Sequence, residues 1–156
     1  MDVLSKLKQY LEQHDTPFEV ILHEEVYTAQ ELAQTLHTPG KELIKVVLIK
    51  DDGGYCLAAL SASRKIDLQT LKTLIGATSI SLASEEECSK LFPEAEIGAM
   101  PPFGNLYSIA VFADAALTAD ETITFNAGTH YEAIHMKYRD FERLVRPRIG
   151  SFTVPA

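Results

Sequence analysis

Residues 43 to 49 read LIKVVLI, a single lysine among six aliphatic side chains. Side chains alternate across a strand, so Lys45 shares a face with Leu43, Val47 and Ile49, while Ile44, Val46 and Leu48 take the other. The pattern predicts a strand buried on both faces, where an unpaired ammonium costs several kcal/mol or gives up its proton. Such a lysine either snorkels to the sheet edge or serves a site. The stretch GAMPPFG, residues 98 to 104, is the second candidate. Two glycines and two prolines around Met100 and Phe103 make a stiff loop, and Gly98 has no side chain to shield the backbone amides. Main-chain donors of that kind hold a carbonyl or an oxyanion. The other reading is a rigid connector with an apolar lid. The third stretch is NAGTH, residues 126 to 130: Asn126 and Gly128 are ordinary turn residues, while Thr129 and His130 either line a pocket rim or are simply part-buried.

Familiar catalytic templates are missing. The chain has no GxSxG elbow, P-loop, GxGxxG or HExxH. HEE at 23 to 25 lacks a second histidine, and His130 and His135, an odd spacing apart on one predicted strand, point to opposite faces. The residues therefore predict no metal site. EEE at 85 to 87 is the favourable charge of a helix first turn. Cys56 and Cys88 lie far apart without CxxC or Cys/His spacing, which fits reduced thiols.

These stretches need a scaffold, and 156 residues at 46% hydrophobic predict one domain over residues 1 to 156. No apolar run is long enough to span a bilayer, and the N-terminus is a charged amphipathic helix, so the expected setting is the cytoplasm, away from membranes, with the protein a monomer. A net charge of −8 excludes broad, nonspecific adhesion to nucleic acid. A local basic site remains: residues 137 to 148 carry Lys137, Arg139, Arg143, Arg146 and Arg148 against Asp140 and Glu142. That segment either steers a polyanion or reflects the basic bias of a helix C-terminus.

Periodicity predicts a helix over residues 3 to 13, a strand FEVILH, and a helix capped by Thr28 with Glu31 that turns Ala29, Leu32, Ala33 and Leu36 inward. KDDGG predicts the turn of a hairpin joining the Lys45 strand to YCLAALSA, at the centre of the sheet. Asp67 caps the next helix, and Ser84 with Glu87 forms a capping box for another. Strand-like runs LYSIAVFA, TITFNA and HYEAIHM follow, then a closing helix from Tyr138. The order predicts an α+β fold with a mixed or mostly antiparallel sheet.

Taken together, HEEVYTAQELAQTL, ELIKVVLI, GAMPPFG and FNAGTHYEAIHMKYRDFERL resemble the YbaK/ProX family, stand-alone relatives of the editing domain of bacterial prolyl-tRNA synthetases. That family hydrolyses the ester of mischarged aminoacyl-tRNA. Its central-strand lysine matches Lys45 and its Gly-X-X-X-Pro loop matches Gly98 to Pro102. Where the editing domains usually carry threonine or asparagine after the lysine, and serine or threonine before the proline, this chain has Val46 and Pro101. The resemblance implies a barrel-like, mostly antiparallel sheet with helices packed outside, and neither a metal nor an organic cofactor. It implies catalytic roles for Lys45, Gly98 and Pro102, with substrate contacts from Thr28, Ala99, Met100, Phe103, Gly128, Thr129 and His130. Lys45 would hold the phosphate of the 3′ adenosine, main chain around Gly98 would orient the ester, and Pro102 would stiffen the loop. The substrate's own 2′-hydroxyl would activate water, and a small pocket would exclude larger side chains. The implied partners are the 3′ end of a mischarged tRNA and an aminoacyl-tRNA synthetase. A second class of function is a catalytically silent module that binds an aminoacyl-tRNA, a small molecule or a synthetase. Convergence of Lys45 and the Gly98 amide on one open cleft separates the two.

Overall fold

The computed structural model describes residues 1–26 and 28–156. In chain order the elements are α1 (Val3–Gln13), β1 (Glu19–Leu22), α2 (Ala29–Leu36), β2 (Ile44–Lys50), β3 (Tyr55–Ser61), β4 (Arg64–Ile66), α3 (Leu68–Ile75), β5 (Ser81–Leu82), α4 (Glu85–Leu91), β6 (Ala110–Asp114), β7 (Thr122–Asn126), β8 (Glu132–Lys137), α5 (Tyr138–Val145), β9 (Arg148–Gly150) and β10 (Thr153–Pro155). Local signals explain most boundaries. Asp2 and Asp67 accept the amides of Ser5 and Thr70 and so start α1 and α3. Ser84 and Glu87 form the reciprocal capping box of α4. Thr28 accepts the Glu31 amide, and its own hydroxyl donates to the Glu31 carboxylate. The side chain of Ala29 lies outside the described residues.

The strands form a five-stranded sheet in the order β5-β2-β3-β6-β9, a three-stranded sheet β1-β8-β7, and a pair β10-β4. The hairpin β2-β3 is antiparallel from Ile44↔Ser61 to Lys50↔Tyr55, and β3 is the central strand. Next to it β6 and β9 run parallel, so the sheet is mixed. A lone parallel bridge, Leu43↔Thr124, joins the start of β2 to β7. Alternation along β2 sorts its side chains. Ile44, Val46 and Leu48 enter the main core with Leu57, Phe125, Ile134, Met136 and Phe141. On the outer face Ile49 packs with Leu71 of α3, and Leu43 packs with Leu32 of α2. Lys45 and Val47 lie between these two small clusters and stay half-buried.

Several expectations need correction. The outer face of β2 is not fully covered, because α2 and α3 leave a gap over Lys45 and Val47. The run from Leu106 becomes a strand only at Ala110. It begins as the 3₁₀ turn Gly104–Leu106, where a Cβ on Gly104 would stand 2.3 Å from the Ile109 carbonyl oxygen. His130 precedes β8 rather than lying on it, so strand alternation does not relate it to His135. The chain also continues past α5 into β9 and β10, whose three-residue lengths are too short for periodicity to register. Among the described residues no three His, Cys, Asp or Glu side chains converge as a metal site requires, and no helix is long and apolar enough to cross a membrane.

Burial raises the Cys56 thiol to about 12, whereas the half-buried Cys88 is raised by burial and by the Glu87 and Glu85 carboxylates. Ellman's reagent at mildly alkaline pH is therefore expected to modify Cys88 first and Cys56 only on unfolding. Two equally fast thiols would contradict this packing.

Candidate active site

Lys45 and the Gly98 loop meet at one cavity. It encloses about 180 Å³ and is lined by Thr28, Leu32, Leu43, Ile44, Lys45, Val46, Val47, Gly98, Met100 and Asn126. Residues from both faces of β2 line it because it opens on the strand's edge. There β5 pairs only with Ile49 and Lys50, leaving the earlier part of β2 without that neighbour. The Leu48 carbonyl accepts the Ala83 amide on this side, at 3.0 Å. By alternation the Val46 amide and carbonyl face the same open edge. The Val46 side chain itself points into the main core.

Lys45 is the only ionisable side chain among the described lining residues. No carboxylate lies within ion-pairing distance of it among the described residues. Burial holds its ammonium below the ordinary lysine value. An anion brought to it would recover much of that desolvation cost, a stronger pairing than in open water.

The Gly98 loop is held from both ends. Gly98 is exposed with φ +83°, a left-handed conformation that glycine adopts without penalty. On one side the Gly128 amide donates to the Ala99 carbonyl at 2.9 Å, and the Glu96 amide donates to the Gly128 carbonyl at 2.8 Å. On the other, Met100 and Phe103 enter the core, and the Phe103 ring packs near Tyr10, Phe125 and Phe141 with centroids 5.6–6.2 Å apart. Ala99, Pro101 and Pro102 are buried beneath the loop. The amides of Gly98 and Met100 have no hydrogen-bond partner among the described residues, so both can donate to a ligand in the cavity.

Of the residues expected from sequence, Thr28, Lys45, Gly98 and Met100 line the cavity. Ala99, Pro102, Phe103 and Gly128 stand behind the loop as its support. Thr129 donates its hydroxyl to Glu132 at 3.0 Å, within the turn. His130 is 6% exposed, with Nε2 at 2.7 Å from the Ile97 carbonyl and its amide donating to Glu96. A carbonyl only accepts, so the proton of this contact sits on Nε2 and the ring braces the residue before Gly98. The hydroxyl of Thr28 is already engaged at the helix start. By sequence Asn126 is an ordinary turn residue. It lines the cavity, and its buried Oδ1 has no hydrogen-bond partner among the described residues. Its place at the end of β7, where the Leu43↔Thr124 bridge brings the sheets together, has no local sequence signature.

The family model of the aminoacyl-tRNA editing domain matches residues 23–144. The prolyl-tRNA editing protein ProX of Acetoanaerobium sticklandii is 26% identical over 158 residues, covering 97% of this chain and 96% of its own length. A proline–tRNA ligase of Exiguobacterium sibiricum is 26% identical over 145 residues, which make up 91% of this chain and 25% of the ligase. A solved structure described as a candidate trans-editing enzyme for prolyl-tRNA synthetase superposes with a TM-score of 0.86 at 19% identity, covering 99% of this chain and 98% of that one. At that identity the structural likeness carries the fold.

Proposed function

The chain belongs to the aminoacyl-tRNA editing domain family, and from that membership we propose that it hydrolyses the ester linking a small, wrongly attached amino acid to the 3′ end of tRNA. The observation that carries this reading is that Lys45, Gly98 and Met100 line one small cavity, and that the Gly98 and Met100 amides have no hydrogen-bond partner among the described residues. An aminoacyl ester is already activated, so its hydrolysis needs a placed carbonyl, charge stabilisation and water. The loop amides donate to the carbonyl oxygen and to the oxyanion that replaces it when water adds to the carbonyl carbon. The bond to the ribose oxygen then breaks, that oxygen takes a proton, and free amino acid and intact tRNA leave. Lys45 pairs with the phosphate of the terminal nucleotide and sets the distance from phosphate to ester. The Val46 carbonyl and Asn126 Oδ1 are acceptors for the substrate's ammonium.

No His, Cys, Asp or Glu is among the described lining residues, and the Thr28 hydroxyl is engaged by Glu31. On this reading the ribose 2′-hydroxyl of the substrate orients and activates the water, the role that the family resemblance implies. The cavity of about 180 Å³ is smaller than the ~300 Å³ at which drug-sized pockets begin. Its apolar lining, with Leu32, Leu43 and Met100, admits a short side chain and excludes a large one by volume. On this reading the protein works in the cytoplasm, where tRNA is charged, with a synthetase as the source of the mischarged substrate.

The test is deacylation of Ala-, Cys- and Ser-tRNA(Pro) beside correctly charged Pro-tRNA(Pro), with chelator present. Hydrolysis of one or two of the mischarged species is expected. A folded protein that hydrolyses none of them would leave the catalytically silent binding module as the better account.

A further inference from the structure

We propose that a second groove, continuous with the cavity through Lys45, holds the penultimate nucleotide of the tRNA 3′ end, with that nucleotide's phosphate on Lys65. The proposal rests on the editing reading above. The groove encloses about 230 Å³ on the outer face of β2, with Val47 and Leu60 as floor, Ile66, Leu68 and Leu82 as walls, and Lys65 beside them. Lys45 belongs to both hollows. The hairpin register places Lys45 directly opposite Leu60, on the face turned away from the main core.

Three observations specify the occupant. The first is charge. The groove's described ionisable residues are both lysines, in a chain with 22 acidic and 14 basic residues. Neither lysine is paired with a carboxylate among the described residues, so both charges are available to a ligand. Two cations beside an apolar floor form a site for a phosphodiester carrying a flat, weakly hydrated group. The second is surface. Leu68 is 40% exposed and Leu82 is 59% exposed, so apolar area stands open where a base face could cover it. The third is continuity. Lys45 and Val47 line both hollows, so a strand with its ester in the cavity and its terminal phosphate at Lys45 has the groove as the adjoining path.

The experiment uses the full chain with K65E and L68D, and compares alanyl-tRNA(Pro) with 3′-alanyl-AMP. The small substrate ends at the phosphate assigned to Lys45 and lacks the penultimate nucleotide. In both variants the preference for tRNA over the small substrate, as a ratio of kcat/KM, is expected to fall roughly tenfold. K65E should also flatten the dependence of log affinity on log salt for a 3′-CCA oligonucleotide by about 0.7. Circular dichroism and thermal melts establish that each variant folds. An unchanged ratio in both variants, while the wild type hydrolyses both substrates, would overturn the groove assignment. If the wild type hydrolyses neither substrate but binds the oligonucleotide, and K65E weakens that binding, the groove stands and the editing reading fails. If K65E leaves oligonucleotide binding intact while L68D abolishes a self-association seen by light scattering, the groove is a contact between copies of this chain and the RNA assignment falls.

Discussion

Lys45→Met is expected to lower deacylation on the order of 100-fold, the scale of removing one preorganised electrostatic partner from a site, while leaving the protein at least as stable as wild type. The two halves have one cause. Lys45 is half-buried between the α2 and α3 clusters with no carboxylate partner among the described residues, and burial pushes its pKa down. The folded chain therefore carries a desolvated charge that a methionine of similar length would not. The sign of the pH effect follows. The unfolded chain keeps the Lys45 proton up to the ordinary value of 10.5, whereas the folded chain releases it earlier. In the window between the lowered value and 10.5 the unfolded state binds more protons, so this residue makes stability rise with pH. Below the window both states are charged and the penalty is constant. Activity that needs the ammonium runs the other way and falls as pH climbs through the window. Urea unfolding of wild type and Lys45→Met from pH 7 to 10.5, alongside single-turnover deacylation, reads both trends. The difference between the two proteins removes the contribution of the raised tyrosines Tyr55, Tyr107 and Tyr138. A Lys45→Met protein that deacylates at the wild-type rate would remove Lys45 from the mechanism.

Gly128→Ala is the second large effect, and it acts from behind the site. A Cβ at Gly128 would stand 2.5 Å from Val3 Cβ, and the residue sits at φ +99°. Both the overlap and the conformation oppose a side chain, so a loss of about 3 kcal/mol is expected. In a chain of this size that lowers Tm by roughly 6–12 °C. Activity should fall further than stability alone predicts, because Gly128 holds the catalytic loop through Ala99 and Glu96. Adding Val3→Ala removes the methyl contacts at 2.8 and 3.1 Å but leaves the Cβ contact at 2.5 Å, so rescue should be partial. Gly98→Ala provides the contrast. Its Cβ would meet only His130 Cε1, at 3.6 Å, an ordinary contact, so the cost reduces to the left-handed backbone at about 1–2 kcal/mol. Thermal melts in which Gly128→Ala proves no worse than Gly98→Ala would show that α1 yields to the intrusion.

Much of this protein was determined by short-range sequence. The helix starts at Thr28, Asp67 and Ser84 are readable because a cap is a bond between residues three apart. The β2-β3 hairpin is readable because the turn at Asp51 and Gly54 lies between two apolar runs. Lys45 and Gly98 stood out for the same reason: each is conspicuous among its immediate neighbours. Tertiary structure alone decided the rest. The half-buried setting of Lys45 depends on where α2 and α3 stop, and the role of Asn126 depends on a bridge between residues far apart in the chain. Phe103 anchors the loop from behind, and His130 braces Ile97 from the next turn, because the space each fills is made by distant elements. Local patterns encode which bonds a segment makes with itself; which side of a loop faces a cavity is decided by the packing of segments that sequence proximity does not relate.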